Sequence, residues 1–197
     1  MAWCESWSSR RRATRTSSRR LALAVALIGL SLLPAAAADD SLDDLLSAFQ
    51  LTPLGDQLPA PFKLESLDGK AVSLADVRGR VAMLYFWEST CRYCARELPS
   101  TIERIHRELK DEGFVVLAIN LAEKRDLVAT WVKSRNVTST VLLDANKEAE
   151  KSYQVVYTPT VFLVDRRGKL VGKAIGEREW AGEQGQALLR LLLARKG

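Results

Sequence analysis

The sequence predicts an α/β fold, with a central mixed sheet that is flanked by helices and carries an added N-terminal β-hairpin. Three apolar runs, at residues 81–86, 114–119 and 160–164, lack the polar alternation of a half-exposed strand, which is typical of strands buried on both faces. Helical patterns separate these runs, and strands that alternate with helices favour a sheet covered by helices.

The segment before the first run combines a helix with a hairpin. Residues 39–50 place apolar side chains at helical spacing, which predicts a short amphipathic helix. A connector that contains proline and glycine follows at 52–61. Strands are expected at 62–67 and 70–74, because Asp68-Gly69 between them is a strong two-residue hairpin signal.

After the first buried run, helices and strands alternate to the end of the chain. The patterns predict helices at 92–111, 124–135, 146–154 and 178–195, and shorter strands at 141–143 and 169–175. The last of these strands follows a turn and is expected to pair antiparallel with the third run, which makes the sheet mixed.

The first 38 residues have the pattern of an export signal. Arginines precede an apolar run at 21–33, Pro34 ends that run, and alanines 35–38 offer a small-residue cleavage site. An uncleaved N-terminal anchor is the alternative, although a membrane span needs roughly 20 apolar residues. The chain is therefore expected to comprise a signal peptide at 1–38, a helix and connector at 39–58 and a domain at 59–197, with its body in the periplasm.

The net charge of the chain lies in this leader. The sequence has 29 Lys and Arg against 24 Asp and Glu, a formal net charge of +5. Six leader arginines and Glu5 account for the whole surplus, so residues 39–197 are neutral. Because nucleic-acid-binding domains need a basic surface, the composition argues against a nucleic-acid partner. Membrane contact is expected only if the leader stays uncleaved.

Cys91 and Cys94 are the only cysteines after the leader, which contains Cys4. They begin the helix that follows the first buried strand. Backbone N–H groups at a helix N-terminus stabilise a thiolate, so Cys91 is the expected nucleophile, and Cys94 is close enough to resolve a mixed disulfide. A structural disulfide, a zinc site and two unrelated buried thiols are the alternatives. One cysteine pair with the single His106 cannot supply four zinc ligands, so no metal is predicted.

Side chains around the cysteine pair could tune its chemistry. Arg92 adds a positive charge that would favour the thiolate, or is an ordinary exposed helix residue. Glu97 shares a helix face with Cys94 and could accept its proton if burial raises the carboxyl pKa; a solvated glutamate is the alternative. Pro159 directly precedes the third run. A trans bond is the ordinary case there, whereas a cis bond would expose the backbone of Thr158 to an extended substrate segment.

These residues belong to a longer, ordered set of motifs. The set is Ala60-Pro61-Phe62-x-Leu64-x-x-Leu67-x-Gly69-Lys70 with Val72-x-Leu74, then Phe86-Trp87-x-x-x-Cys91-x-x-Cys94-x-x-Glu97-x-Pro99, and Tyr157-Thr158-Pro159-Thr160-x-Phe162-Leu163-x-Asp165-x-x-Gly168. Over about residues 60–176 it resembles the thioredoxin superfamily, specifically the exported TlpA/ResA-like thiol–disulfide oxidoreductases. The resemblance implies a thioredoxin-like sandwich.

The resemblance also implies roles for individual residues. Cys91 would be the nucleophile and Cys94 the resolving cysteine, and Glu97 would influence their pKa values. Pro159 would be cis beside the disulfide and would contact substrate together with Thr158. Trp87 matches the aromatic residue that the family carries near the site and is assigned to the same substrate surface; a role in packing alone is the alternative.

Two positions near the site differ from those of related proteins, and the first, a departure from the family pattern, bears on partner docking or the redox potential. Thr90 stands where members usually have tryptophan, which leaves less apolar cover over Cys91, so Thr90 is expected to tune the pair together with Arg92 and Tyr93. Tyr85 occupies the strand position at which cytoplasmic thioredoxins carry a buried aspartate. Glu97 is then the remaining carboxylate for proton transfer.

The sequence thus predicts a periplasmic dithiol reductase of exported proteins, with apocytochrome c among the expected substrates. Its electrons would come from a membrane thiol reductase, and no cofactor is expected beyond the redox-active disulfide. A disulfide-forming oxidase is the first alternative, since direction depends on the potential. A thiol peroxidase and a copper-binding chaperone are further alternatives. The peroxidase pattern places its threonine further upstream of the cysteine, and copper chaperones of this fold use a wider cysteine spacing.

Overall fold

The structure is a computed structural model that describes residues 37–196. The predicted leader lies outside the described residues, apart from its last two positions. The strands are β1 (Thr52–Gln57), β2 (Lys63–Ser66), β3 (Ala71–Ser73), β4 (Val81–Trp87), β5 (Phe114–Leu121), β6 (Thr140–Asp144), β7 (Thr160–Val164) and β8 (Leu170–Ile175). The helices are α1 (Ala37–Ala48), α2 (Arg92–Glu97), α3 (Glu103–Leu109), α4 (Arg125–Ser134), α5 (Glu148–Ser152) and α6 (Glu183–Ala194).

All of these strands form one mixed sheet, in the order β1-β8-β7-β4-β5-β6-β2-β3. β5 runs parallel to both β4 and β6, whereas β7 runs antiparallel to β4 and β8. The predicted α/β fold with a mixed central sheet is therefore what the chain adopts. β2 and β3 pair antiparallel with each other, and β2 also pairs antiparallel with β6.

β4 is central to the sheet and is covered on both faces. Its odd-numbered side chains, among them Tyr85 and Trp87, face a cluster that includes Leu46 of α1, Ile105 of α3, Val128 of α4 and Leu188 of α6. Its even-numbered side chains, such as Phe86, face a second cluster that includes Ala149 of α5 and Phe62. Burial on both faces is why this segment reads as an unbroken apolar run.

The turn between β2 and β3 is longer than the two-residue loop that the sequence predicts. The Ser66 N–H donates to the Lys70 carbonyl and the Gly69 N–H donates to the Ser66 carbonyl, which closes a three-residue loop. Gly69 has a φ of +77°, the left-handed conformation that such a loop requires at its last position. The turn between β7 and β8 has the same hydrogen bonds, with Gly168 in the equivalent position.

Three sequence predictions are wrong in their element boundaries. The connector at 52–61 contains the edge strand β1, where Pro53 is tolerated because an edge strand leaves one side unpaired. The helix expected at 92–111 is interrupted by a π-helical turn, Leu98–Ile102, since Pro99 in that turn has no N–H to donate. The last helix begins at Glu183 rather than at 178, so Trp180 enters the core from the preceding loop.

Within residues 37–196, no helix is long and apolar enough to cross a membrane.

Candidate active site

The two body cysteines form a disulfide at the start of α2. Cys91 is the N-cap of the helix, and the backbone N–H of Cys94 donates to Cys91 Sγ at 3.1 Å. Cys91 is partly exposed, whereas Cys94 is completely buried. An attacking or attacked sulfur must be reachable, so the geometry assigns contact with a substrate to Cys91 and leaves Cys94 as the internal partner. The N–H group directed at Cys91 Sγ would stabilise its thiolate.

Pro159 lies beside the disulfide, and the Thr158–Pro159 peptide bond is cis, as the resemblance implies. The carbonyl oxygen of Thr158 lies 3.4 Å from Cys91 Sγ. The carbonyl oxygen of Pro159 accepts a hydrogen bond of 2.8 Å from the Gly176 N–H, which ties this loop to the end of β8. Thr158 is half-buried, so its backbone forms part of the surface around Cys91.

Glu97 is buried, with only 1% of its surface exposed. Its Oε2 accepts a hydrogen bond of 2.8 Å from the hydroxyl of Tyr85, and its Oε1 accepts one of 2.8 Å from the backbone N–H of Arg178. Burial raises the pKa of Glu97 to about 7, against the lowering effect of these hydrogen bonds. The solvated-glutamate alternative is therefore wrong, and the carboxyl group can exchange a proton near neutral pH.

Tyr85 is a hydrogen-bond partner of Glu97 that sequence reasoning missed. The sequence identifies this position only as the one at which cytoplasmic thioredoxins carry a buried aspartate. A tyrosine in the middle of an otherwise apolar, fully buried strand needs a hydrogen-bond partner for its hydroxyl, and this was the available signal. Burial, with the nearby Glu97 carboxylate, raises the pKa of Tyr85 well above its usual value, so the phenol stays neutral.

Thr90, Arg92 and Tyr93 form the exposed rim of the site. Tyr93 is 48% exposed, and its ring lies 5.7 Å from the guanidinium carbon of Arg92 and 5.3 Å from that of Arg96. Arg96 also forms an ion pair with Glu177. The rim therefore combines an aromatic ring with positive charge beside Cys91, and Thr90 contributes no large apolar cover.

Trp87 does not contact this surface. Its side chain is completely buried at the end of β4 and packs on Trp131 of α4, with ring centroids 4.5 Å apart. The prediction that Trp87 binds substrate is wrong, because a docked protein cannot reach a side chain with no exposed area. Its place in the motif reflects packing beneath the site.

A carboxylate that the sequence analysis did not single out holds the loop between β4 and Cys91. Glu123 accepts hydrogen bonds from the Ser89 N–H at 2.7 Å and from the Asn120 side chain at 2.6 Å, and the Ser89 hydroxyl bonds to its other oxygen. Asn120 is fully buried in β5. The loop that leads to Cys91 is thus held by hydrogen bonds to the end of the neighbouring parallel strand, β5.

The fold and this cysteine geometry agree with comparisons to known proteins. A model of the AhpC/TSA family matches residues 54–173. The chain belongs to the AhpC/TSA family. It is 32% identical over 115 residues to the thiol-disulfide oxidoreductase ResA of Bacillus subtilis, which covers 58% of this chain and 64% of ResA. The chain thus spans less than two thirds of the length of that relative.

Solved structures support the same assignment. A Chlorobium tepidum protein, provisionally described as a thiol:disulfide interchange protein DsbE, matches with a TM-score of 0.66 and 28% identity, over 73% of this chain and 100% of that chain. StoA from Bacillus subtilis matches with a TM-score of 0.56 and 24% identity, over 68% of this chain and 97% of that chain, which bears on the fold alone. The predicted resemblance to ResA-like proteins and the thioredoxin-like fold are confirmed.

Proposed function

We propose that this chain is a protein thiol–disulfide oxidoreductase that works as a dithiol reductase of exported proteins in the periplasm. The observation that carries the proposal is the disulfide at the start of α2, with Cys91 reachable, Cys94 buried and the Glu97 carboxyl one helical turn further on. The names of the similar proteins support the same chemistry, and the geometry supplies a role for each group.

The first step is attack by Cys91 on a substrate disulfide. With both cysteines reduced, the Cys91 thiolate forms a bond to one substrate sulfur, and the bond between the two substrate sulfurs breaks. The second substrate sulfur leaves as a thiolate and takes a proton from water. The Cys94 N–H, 3.1 Å from Cys91 Sγ, stabilises the attacking thiolate, and the backbone of Thr158 lies beside the new mixed disulfide.

The second step is resolution by Cys94. Glu97 as a carboxylate takes the proton of the Cys94 thiol, and the resulting thiolate attacks Cys91 Sγ. The Cys91–substrate bond breaks, the Cys91–Cys94 disulfide forms, and the remaining substrate sulfur leaves as a thiolate that is protonated in turn. Two electrons have passed from the dithiol to the substrate. A carboxyl pKa of about 7 suits a group that must take up and release a proton near neutral pH.

The reducing direction is supported by the surroundings of Cys94. Strongly oxidising pairs are those whose reduced form is stabilised, largely as thiolate. A buried carboxyl group close to Cys94 opposes a second negative charge in the reduced state, and this favours the disulfide. We therefore place the pair toward the reducing end, with the oxidase as the alternative outcome of a measured potential.

The compartment and partners follow from the leader pattern and from the need for electrons. An exported reductase in an oxidising compartment must be re-reduced, and a membrane thiol reductase is the proposed donor. The proposed substrates are disulfides of exported proteins, apocytochrome c among them.

A fusion of residues 1–38 to a reporter that folds only after forming disulfides tests the proposed export. The reporter would be active if the leader directs export and inactive if it does not.

Cysteine variants test the exchange chemistry. In the full chain carrying Cys4→Ser, which leaves only the two active-site thiols, we expect Cys91→Ser to abolish insulin reduction and Cys94→Ser to accumulate mixed disulfides with insulin. Full activity in the Cys91→Ser protein would contradict the assignment. Rapid peroxide consumption by the reduced protein, or stoichiometric Cu(I) binding without insulin reduction, would favour the peroxidase or the copper chaperone instead.

A further inference from the structure

The two oxygens of the Glu97 carboxyl group have partners of different kinds. Oε1 faces a backbone N–H, that of Arg178, which can only donate. Oε2 faces the hydroxyl of Tyr85 at 2.8 Å, which can donate or accept by rotating about its C–O bond. A group that alternates between carboxylate and carboxylic acid needs at least one neighbour that suits both forms, and the hydroxyl is that neighbour.

Few other charges act on Glu97. β4 contributes the neutral Tyr85, and the loop after β8 contributes Glu177 and Arg178. Glu177 is paired with Arg96, and the Arg178 guanidinium donates to the Glu177 carbonyl oxygen. Among the contacts described for residues 37–196, the Glu97 carboxylate is thus bonded by two neutral donors rather than by a guanidinium.

We infer that Tyr85 is a positioning residue of the exchange reaction: its hydroxyl donates to Glu97 Oε2 in the carboxylate form and accepts from Oε2 when Glu97 holds the proton of Cys94. The inference rests on the proposed function and deepens it. The Tyr85 ring is fixed in the centre of the sheet with no exposed area, so the hydroxyl changes between donor and acceptor by turning only its O–H bond, while Glu97 stays within hydrogen-bond distance.

The inference gives a sign for the loss of the hydroxyl. Phenylalanine would fill the same space and leave Oε2 without a partner in both forms. A hydrogen bond to a charged acceptor is about twice as strong as one between neutral groups, so the carboxylate loses more than the acid does. Tyr85→Phe therefore raises the pKa of Glu97, and a higher pH is needed before Glu97 can take the proton from Cys94.

The test is the pH dependence of the resolution step. The reduced full chain with Cys4→Ser is mixed with glutathione disulfide, and release of the second glutathione is followed from pH 5 to pH 9. In Tyr85→Phe we expect the midpoint of this profile to rise by roughly one pH unit, a tenfold loss of rate below the midpoint. The matched control is Tyr153→Phe, which removes another buried hydroxyl, bonded to the Ala60 carbonyl in the opposite core; its midpoint should not move.

One further protein keeps the test decisive if Tyr85→Phe folds poorly, and a double variant checks that the shift acts through Glu97. Incorporating 3-fluorotyrosine at position 85 keeps the shape and makes the hydroxyl a stronger donor, so the midpoint should fall. In a Glu97→Gln background, Tyr85→Phe should leave the profile unchanged. A midpoint that stays fixed in both Tyr85 proteins, or one that shifts equally without Glu97, would overturn the inference.

This test is separable from the proposed function. Exchange with glutathione disulfide needs only the cysteine pair and can be followed whether the protein works as reductase or as oxidase. Loss of the insulin-reduction result would therefore refute the reductase assignment while leaving the Tyr85 experiment interpretable, and a fixed midpoint would refute the role of Tyr85 while leaving the reductase assignment in place.

Discussion

Replacing Glu97 with glutamine should remove a pH-dependent contribution to the free energy of unfolding of the oxidised protein. Folding raises the pKa of Glu97 from 4.5 to about 7 because the side chain is buried. A group whose pKa is raised by folding binds its proton more tightly in the native state, so its effect on stability is most favourable below pH 4.5 and declines as pH rises toward 7. One pKa unit corresponds to about 1.4 kcal/mol, so the whole decline amounts to about 3 kcal/mol.

Urea unfolding of the disulfide-bonded protein at several pH values measures this decline. The free energy of unfolding of Glu97→Gln minus that of the unchanged protein should rise by about 3 kcal/mol between pH 4 and pH 8. Other groups, including Glu103 with its lowered pKa, are common to both proteins and cancel in the difference. A difference that stays constant over this range would show that Glu97 is ionised and solvated at neutral pH, and would refute the buried-carboxyl reasoning.

Three other substitutions test how the site is supported. Trp87→Phe should cost about 1–3 kcal/mol in urea unfolding through lost packing and leave the KM for insulin unchanged; a raised KM with normal stability would restore the substrate-contact prediction. Glu103→Gln should cost about 2–4 kcal/mol, because the buried carboxylate accepts the backbone N–H groups of residues 138 and 139; an unchanged denaturation midpoint would contradict this. Gly185→Ala should lower the melting temperature, since the added Cβ would lie 2.5 Å from the Trp180 carbonyl oxygen; stabilisation, the usual result in a helix, would refute that close approach.

The parts of the site that are local in sequence could be predicted, because short-range rules suffice for them. The buried strands read as apolar runs, and a cysteine pair directly after such a run at a helix start indicates a reactive thiol. The cis bond at Pro159 was not derivable from its own residues, since trans is the ordinary state. It came from the resemblance, and the structure contains it.

The parts that join distant segments could not be predicted. Glu97 and Tyr85 are 12 residues apart, and their hydrogen bond depends on how α2 packs across β4. The prediction that Trp87 contacts substrate is wrong for a related reason, since its motif position does not show whether the ring points to the surface or into the core. β1 was missed because Pro53 and Gly55 suggest a connector, and its place at the sheet edge depends on pairing with a strand more than 100 residues later.

The equilibrium redox potential of the Cys91–Cys94 pair tests the central claim most directly. Titration of the full chain carrying Cys4→Ser against glutathione and dithiothreitol buffers, with the oxidised fraction read by thiol trapping, gives this value. A dithiol reductase should lie near the thioredoxin end of the scale, about −270 mV. A potential near −120 mV, the range of a strong disulfide-forming oxidase, would contradict the reductase assignment.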